Sequence, residues 1–294
     1  MSDTQKRSFP IQLIAIPALI LTLIFSAVFF ITESKKNRIY SLTSYDLVIP
    51  DDSISIDHGK RIYTIRGCID CHGQNLGGKI IESGFITGVI AAPNLTPGSG
   101  SAIKDYSDSD LVRVIREGIR PDGRSVLFMP SHKFQVIHKT DIEALVAYMK
   151  SVSPIERGMP ITRLTIPLRF YHFVNRNLAL FPATMVQRPV DFEEEISMSR
   201  LEKGKYIASS CVGCHGYKLE GGRVPGAPPY WPIATDLTTT GIAGSWSKEE
   251  FIESMQKGIT PDGRHLDSRY MPWEAFGQLN KEEFELLWEY MKSL

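Results

Sequence analysis

The sequence predicts a mostly α-helical protein in which an apolar N-terminal helix precedes two tandem copies of one domain of about 100 residues. Three observations lead to this fold class. Residues 11–31 form a run of 21 positions without a charge, Cys-x-x-Cys-His-Gly occurs twice, and no segment alternates convincingly between apolar and polar residues. The 33 basic and 33 acidic residues balance, so charge gives no reason to expect a nucleic-acid partner.

The uncharged run at 11–31 has the length of a single transmembrane helix. As a helix it extends about 32 Å, which matches a hydrocarbon core of about 30 Å. A cleaved signal peptide is the alternative, but its apolar region is usually about 7 to 15 residues long. We therefore expect residues 1–38 to form a short cytoplasmic N-terminus and an uncleaved anchor. Basic residues flank the run on both sides, so they do not set its orientation.

An internal repeat divides the rest of the chain. We expect a first copy at residues 50–152, a linker at 153–197 and a second copy at 198–294. The offsets between equivalent motifs are 140 to 145 residues, so the copies differ only by small loop insertions. The matching motifs are Gly59-Lys60 with Gly204-Lys205, Pro121–Arg124 with Pro261–Arg264, Met129-Pro130 with Met271-Pro272, and "AYMKS" with "EYMKS".

Each copy contains the same predicted order of helices and loops. A short helix precedes each cysteine motif, and the Gly-, Pro- and Thr-rich middle, including 88–101, is expected to be loop. Ser107 and Ser247 are predicted N-caps of the next helix, because each is followed by an acidic first turn. The last helix of each copy is expected to begin at a Thr or Asn cap.

The linker leaves two interpretations open. Residues 157–188 contain five arginines and no acidic residue. A long aromatic linker of this kind is expected to wrap one of the domains as a connector. A basic strip that docks near a membrane or a partner is the alternative.

Cys-x-x-Cys-His is the attachment signature of c-type haem. Two thiols at this spacing bond to one porphyrin, and the adjacent histidine lies below the iron. A zinc ribbon requires cysteine pairs about 15 to 20 residues apart, and a thioredoxin-like pair requires a βαβ setting. Neither pattern is present, so we expect two covalently attached haem c groups. The attaching residues are Cys68, Cys71, Cys211 and Cys214, and the axial histidines are His72 and His215.

The sixth iron ligands are expected to be methionines. Two methionine pairs recur after the haem motif, whereas Met255 has no equivalent in the first copy. Met149 and Met291 lie in the predicted terminal helices, where packing in the core is expected. Met129 and Met271 lie in a loop and each precedes a proline, whose fixed φ restrains the backbone. We expect these two to ligate iron, which leaves both irons saturated and raises their potentials.

Both halves resemble class I cytochrome c domains, and the whole chain resembles a membrane-anchored dihaem cytochrome c. The resemblance covers about residues 55–152 and 198–294. "APNLTPGSG", "DLTTTGIAGSWSKEEF", "PDGR" and "MP" also resemble cytochrome subunits of periplasmic alcohol-type dehydrogenases, which typically carry three haem domains rather than two. This resemblance implies that Asn94 and Trp246 border the haem pockets and that Arg124 or Arg264 reaches a propionate.

The resemblance also implies a location and a role. The expected location is the bacterial inner membrane, with one span and with both haem domains in the periplasm. The expected role is one-electron transfer between redox partners such as a dehydrogenase, a quinol-oxidising complex or a terminal oxidase, with no catalytic residue of its own. Two alternatives remain: a peroxidase-like or thiosulfate-oxidising dihaem enzyme with one open or non-Met iron, and a cytochrome subunit of a larger respiratory or dehydrogenase complex.

Overall fold

The computed structural model describes residues 12–175, 178–188, 192, 198–225, 227 and 230–294. The predicted mostly helical fold with an apolar N-terminal helix is confirmed. The elements are α1 (Gln12–Asn37), α2 (Ser53–Ile65), α3 (Cys68–His72), β1 (Lys79–Gly84), β2 (Gly88–Ala92), α4 (Asp108–Glu117), α5 (Ser131–Phe134), α6 (Lys139–Ser151), α7 (Ile166–Val174), a 3-10 turn (Pro182–Thr184), α8 (Arg200–Ala208), α9 (Val212–His215), α10 (Ile242–Ser245), α11 (Lys248–Lys257), α12 (Trp273–Phe276) and α13 (Lys281–Lys292).

Each copy is built around the crossing of its first and last helix, α2 with α6 and α8 with α13. A glycine lies at each crossing because the two backbones nearly touch there. A Cβ on Gly59 would lie 1.9 Å from the carbonyl oxygen of Ala144, and one on Gly204 would lie 2.2 Å from that of Leu286. The repeated glycine therefore sets how closely the two helices of each copy pack.

The apolar core continues through both copies. It contains Ile62, Val112 and Leu145 in the first copy and Phe251 and Phe284 in the second, all almost fully buried. Met149 and Met291 are also buried in this core, in α6 and α13.

The predicted N-cap is confirmed in three helices and is wrong in one. Ser107 and Ser247 cap α4 and α11 through complete capping boxes, and Asn280 caps α13 in the same way. The predicted Thr140 cap of α6 is wrong, because His138 is the N-cap and makes no side-chain capping bond. The first turn of α6 thus begins one residue before Thr140.

A two-stranded antiparallel hairpin replaces part of the predicted loop in the first copy. β1 pairs with β2 from Lys79 opposite Ala92 to Gly84 opposite Gly88. All six residues of β1 are exposed, so neither face imposes the apolar and polar alternation that identifies a strand in sequence. The hairpin is braced by the linker, where Thr162 Oγ1 accepts a hydrogen bond of 3.0 Å from the backbone N–H of Ala91.

The described part of the linker lies along the first copy. The side-chain amide of Asn94 donates to the carbonyl oxygens of Ile155 and Arg157, at 2.8 and 2.9 Å. Further along, Arg188 lies 3.4 Å from the fully buried carboxylate of Glu117. The connector thus wraps the domain that precedes it.

The segment that follows α1 covers the first copy as well. The backbone N–H of Tyr40 donates to the carbonyl oxygen of Gly123 at 2.9 Å, and the Tyr45 hydroxyl donates to Glu117 at 2.8 Å. Helix α1 is therefore joined to the first copy by a bonded strap, residues 38–50, rather than by a free tether.

The two copies contact each other through polar side chains. Arg61 of α2 pairs with Glu283 of α13 at 2.6 Å. Arg66 donates to the hydroxyl of Ser209 at 2.6 Å and lies over the ring of Tyr206, 4.4 Å from its centroid. Arg66 and Ser209 each lie two residues before the first cysteine of their motif, so this part of the interface lies beside the candidate site.

Candidate functional site

The two cysteine motifs form short helices with the same geometry. Each ends at a glycine with a φ of 78°, Gly73 in the first copy and Gly216 in the second. The chain then folds back so that a later glycine donates its N–H to the carbonyl oxygen of the motif histidine, at 3.0 Å to His72 and 2.9 Å to His215. The repeat observed in sequence is therefore also a repeat of backbone conformation.

The two motif imidazoles are held in one tautomer. His72 Nδ1 lies 3.1 Å from the carbonyl oxygen of Pro93, and His215 Nδ1 lies 2.7 Å from that of Thr235. A carbonyl oxygen only accepts, so Nδ1 carries the proton and Nε2 keeps its lone pair. Burial lowers the pKa of both imidazoles, which favours the neutral form that ligates a metal.

The four cysteines are free thiols. Burial raises the pKa of Cys68 and Cys211 to about 12, so both remain protonated at neutral pH. Within the described residues, no group of three or more His, Cys, Asp or Glu side chains is arranged to hold a metal ion. Each copy thus offers two thiols and, directly after the second cysteine, a histidine whose Nε2 keeps its lone pair.

The second copy encloses a cavity of about 210 Å³ with mostly apolar walls. All six predicted site residues of that copy line this cavity. These residues are Cys211, Cys214, His215, Trp246, Arg264 and Met271.

The predicted methionine ligands occupy equivalent loops. Met129 and Met271 each precede a proline that is the N-cap of a short helix, with a ψ of 53° at Pro130 and 64° at Pro272. The carbonyl oxygen of each methionine accepts from the residue two positions later, at 2.8 Å in the first copy and 2.7 Å in the second. Met129 packs against the core of its copy. Iron ligation by both sulfurs stays a prediction.

Two further methionines line the same cavity, which the sequence did not indicate. Met255 and Met291 both contribute to its wall, from α11 and α13. Their exposed fractions are 7% and 0%, so both also belong to the packed core. Both methionines can line the cavity and belong to the core, because the cavity lies inside the helical core.

The predicted arginines lie on equivalent turns. In the first copy, Arg120 and Arg124 flank Asp122 at 3.2 and 3.4 Å, and the Nε of each arginine is buried without a partner among the described residues. Such donors fit an anionic group like a haem propionate. Arg264 is exposed at the rim of the second cavity. Contact of either arginine with a propionate stays a prediction.

Asn94 and Trp246 differ in what they contact. The amide of Asn94 donates twice to the linker, and its oxygen accepts from both the N–H and the hydroxyl of Thr96. All four of its hydrogen-bonding positions are filled, so the side chain braces the linker. Trp246 is half-buried and lines the cavity.

Arg66 is a site residue that sequence reasoning missed. It lines the cavity of the second copy, although it belongs to the first. Its positive charge lowers the pKa of both Cys68 and Cys211, against the larger effect of burial. One guanidinium thus lies near both attachment motifs. Its partner Ser209 is 143 residues away in sequence, so no local pattern pointed to it.

Comparison with known proteins identifies one protein family that matches this chain. The family model described as cytochrome c matches residues 56–153 and again 201–294. The cytochrome c subunit of the quinone-dependent alcohol dehydrogenase of Gluconobacter oxydans is 28% identical over 70% of this chain and 48% of its own length. A dihaem cytochrome c-type protein of Cereibacter sphaeroides is 24% identical over 69% of this chain and 73% of its own length.

A third relative is one of the subunits of the nicotinate dehydrogenase of Pseudomonas putida, 26% identical over 70% of this chain. This chain spans only 18% of that relative and about half of the Gluconobacter subunit. The donor set fits covalent haem c, since each copy offers two free thiols and one neutral, oriented imidazole beside them. The repeated motif, the repeated geometry and the double family match lead to one conclusion: the chain belongs to the cytochrome c family.

Proposed function

We propose that this protein is a membrane-anchored dihaem cytochrome c that transfers single electrons as the cytochrome subunit of a dehydrogenase. The observation that carries the proposal is the equivalence of the two copies. Each presents two thiols, a histidine whose Nδ1 donates to a backbone carbonyl, and a methionine before a proline N-cap. Bound haem supplies one-electron oxidation and reduction, and methionine ligation raises its potential.

The residues proposed to hold the two groups follow from the repeat. The carbonyl oxygens of Pro93 and Thr235 orient the two imidazoles and increase their basicity toward a metal. The thioether of Met129 or Met271 would complete the protein ligands of each iron, which would leave no position for a substrate and favours a carrier over an enzyme. The proposed set is Cys68, Cys71, His72 and Met129 for one haem and Cys211, Cys214, His215 and Met271 for the other.

Helix α1 is proposed to remain in the mature protein as the membrane anchor. It is long and apolar enough to cross a membrane. Arg169 of the linker, whose side chain is 6% exposed, pairs with Glu33 at 2.8 Å and donates to the Thr32 hydroxyl at 2.7 Å. Removal of α1 leaves this buried guanidinium without either partner, which is costly. The haem domains then lie in the periplasm, on the outer face of a bacterial inner membrane.

The names of the relatives support a dehydrogenase as electron donor. Two of them are subunits of an alcohol and a nicotinate dehydrogenase. A quinol-oxidising complex or a terminal oxidase fits the same chemistry as the other partner.

Purification of the full chain from bacterial membranes in mild detergent tests the proposal. We expect two haems per chain, a dehydrogenase subunit in the same fraction, and ferric spectra in which both haems show the thioether-to-iron charge-transfer band. A chain that purifies alone contradicts the subunit role. Peroxide turnover by a haem without this band replaces the proposal with the dihaem enzyme.

A further inference from the structure

Helix α7 of the linker packs directly against helix α1. The rings of Phe25 and Phe170 are 6.2 Å apart, and the guanidinium of Arg169 lies 4.7 Å from the centre of the Phe29 ring. The same arginine pairs with Glu33, near the end of α1. A linker helix is therefore packed along the C-terminal part of α1, from Phe25 to Glu33.

The outer side of α7 carries large apolar side chains that the described residues leave substantially exposed. Phe173 is 51% exposed and Val174 is 62% exposed, while Ile166, Phe170 and Tyr171 are each about two-fifths exposed. Polar residues are few on this helix, whose sequence is IPLRFYHFV. Contiguous apolar surface of this kind marks an interaction site in a soluble setting.

The tip of the β1–β2 hairpin adds to the same patch. Phe85 is 98% exposed and Ile86 is 62% exposed. Thr165, the N-cap of α7, donates its hydroxyl proton to the carbonyl oxygen of Ile86, and its methyl group approaches Gly88. The tip is thus held beside the start of α7.

The occupant that fits this patch is a lipid surface. Its apolar side chains continue the exposed apolar surface of α1, where Phe25 and Phe30 are 44% and 69% exposed. Aromatic residues beside a span favour the boundary between headgroups and acyl chains. The linker around α7 is basic, with Arg157 and Arg163 before it and no acidic residue from 157 to 188, which suits anionic lipid headgroups at the membrane surface.

We propose that a membrane platform, made of α7 and hairpin residues Phe85 and Ile86, lies in the lipid interface beside α1. This inference rests on the proposed anchor. Three elements then hold the first copy against the membrane: the span, the linker helix and the hairpin tip. The second copy has no equivalent hairpin among its described residues.

Labelling by a lipid-confined photoactivated carbene tests the platform on the unmodified full chain. The chain is reconstituted in vesicles of phosphatidylethanolamine and phosphatidylglycerol, and adducts are mapped by mass spectrometry. We expect adducts in α1, in α7 and at residues 85 and 86. Exposed aromatics of the second copy, Tyr217 and Tyr230, both 78% exposed, provide the internal control and should remain unlabelled.

The outcomes separate this inference from the anchor. Adducts in α1 alone overturn the platform and leave the anchor intact, with a protein partner as the remaining cover for the patch. The absence of adducts in α1 overturns the anchor itself.

A second measurement uses an introduced cysteine, because all four native cysteines are proposed to be bonded to haem in the holoprotein. In Phe173→Cys, a charged water-soluble maleimide should react about tenfold more slowly in vesicles than with the denatured chain, because the thiol lies in lipid. Tyr217→Cys is the matched control and should react at nearly the denatured rate. Equal rates for the two variants overturn the platform.

Discussion

Gly123 and Gly263 hold the same turn in the two copies, with φ values of 77° and 80°. In the first copy the strap after α1 covers this turn, and a Cβ on Gly123 would lie 2.9 Å from Ile39 Cγ2. In the second copy a Cβ on Gly263 would have no described residue within 4 Å apart from its neighbours in the chain. The neighbouring arginines differ likewise, since Arg124 is partly buried and Arg264 is exposed.

The comparison shows that the cysteine motif keeps one backbone conformation in two different surroundings. The first copy is covered by the strap and by the linker with its helix α7, which connect it to α1. The second copy keeps its turn and cavity rim open toward solvent.

The largest effect is expected from the motif histidines. His72→Ala and His215→Ala should each reduce covalent haem from two groups per chain to one, because the iron loses its fixed imidazole. Haem content measured by absorbance and intact mass checks this. Limited proteolysis then compares the copies: the second copy, which lacks the cover, should be cut faster after His215→Ala than the first after His72→Ala. Two retained haems in either variant contradict the assignment.

The next largest effect is expected from the loop methionines. Met129→Leu and Met271→Leu should keep both haems but lower one potential by on the order of 0.2 V, a part of the ~0.8 V that axial ligands span. A redox titration followed by absorbance measures the shift. Met149→Leu, Met255→Leu and Met291→Leu are size-matched controls in the helical core. A shift in the controls with none in the loop variants would reverse the ligand choice.

Substitution of the glycine at the helix crossing should lower the free energy of unfolding by a similar amount in both copies. Gly59→Ala and Gly204→Ala each force a Cβ into a backbone carbonyl, so each should lower the free energy of unfolding by about 3 kcal/mol. Thermal or denaturant unfolding of the holoprotein measures the loss. Gly158→Ala is the control, since its Cβ would come no closer than 3.9 Å to the backbone of Gly100, its nearest neighbour in space. A loss in one copy only would show that the crossings are not equivalent.

The contact between the copies should depend on pH through Asp141. Burial raises the pKa of this carboxyl, but hydrogen bonds from His58 at 2.6 Å and from the Tyr206 hydroxyl outweigh burial and lower it below 3.8. Its stabilisation is therefore present above pH 3.8 and is lost as the pH falls through the lowered folded value. Asp141→Asn should cost about 2 kcal/mol at pH 7. Unfolding measured from pH 7 down to about pH 2 should show a difference between the two proteins that holds above pH 3.8 and shrinks below it, and a difference that stays constant below pH 3.8 contradicts this.

The smallest effect is the difference between the two turns. Gly123→Ala and Gly263→Ala each place a side chain in the left-handed region, at a cost of about 1 kcal/mol. Gly123→Ala should cost about 1 kcal/mol more, because its Cβ also meets the strap. Unfolding free energies of the two variants provide the comparison, and equal losses would mean that the strap does not cover the first turn in solution.

The sequence predicted what depends on neighbouring residues. The caps at Ser107, Ser247 and Asn280, the helix ends and the two cysteine motifs are local patterns, and the repeat reinforced each of them. The Thr140 cap was wrong because His138 is the N-cap of α6, and the His138 ring stacks on Tyr206 of the other copy with 3.5 Å between the ring centroids. That contact is distant in sequence.

The missed features all depend on such distant contacts. The hairpin is exposed and is braced by Thr162, Arg66 reaches Ser209, and the Asn94 side chain is tied to Ile155. None of these pairs leaves a periodicity or a motif in the chain. The repeat identified the equivalent residues of the two copies, but not the strap and linker that make their surroundings different.

The charge-transfer band of thioether-ligated ferric haem, quantified per chain in the oxidised full-length protein, tests the central claim most directly. Two equivalent His/Met sites predict two band equivalents for two covalent haems, one lost in Met129→Leu and the other in Met271→Leu. A single band equivalent in the unmodified chain would contradict the account, because one copy would then hold its iron differently.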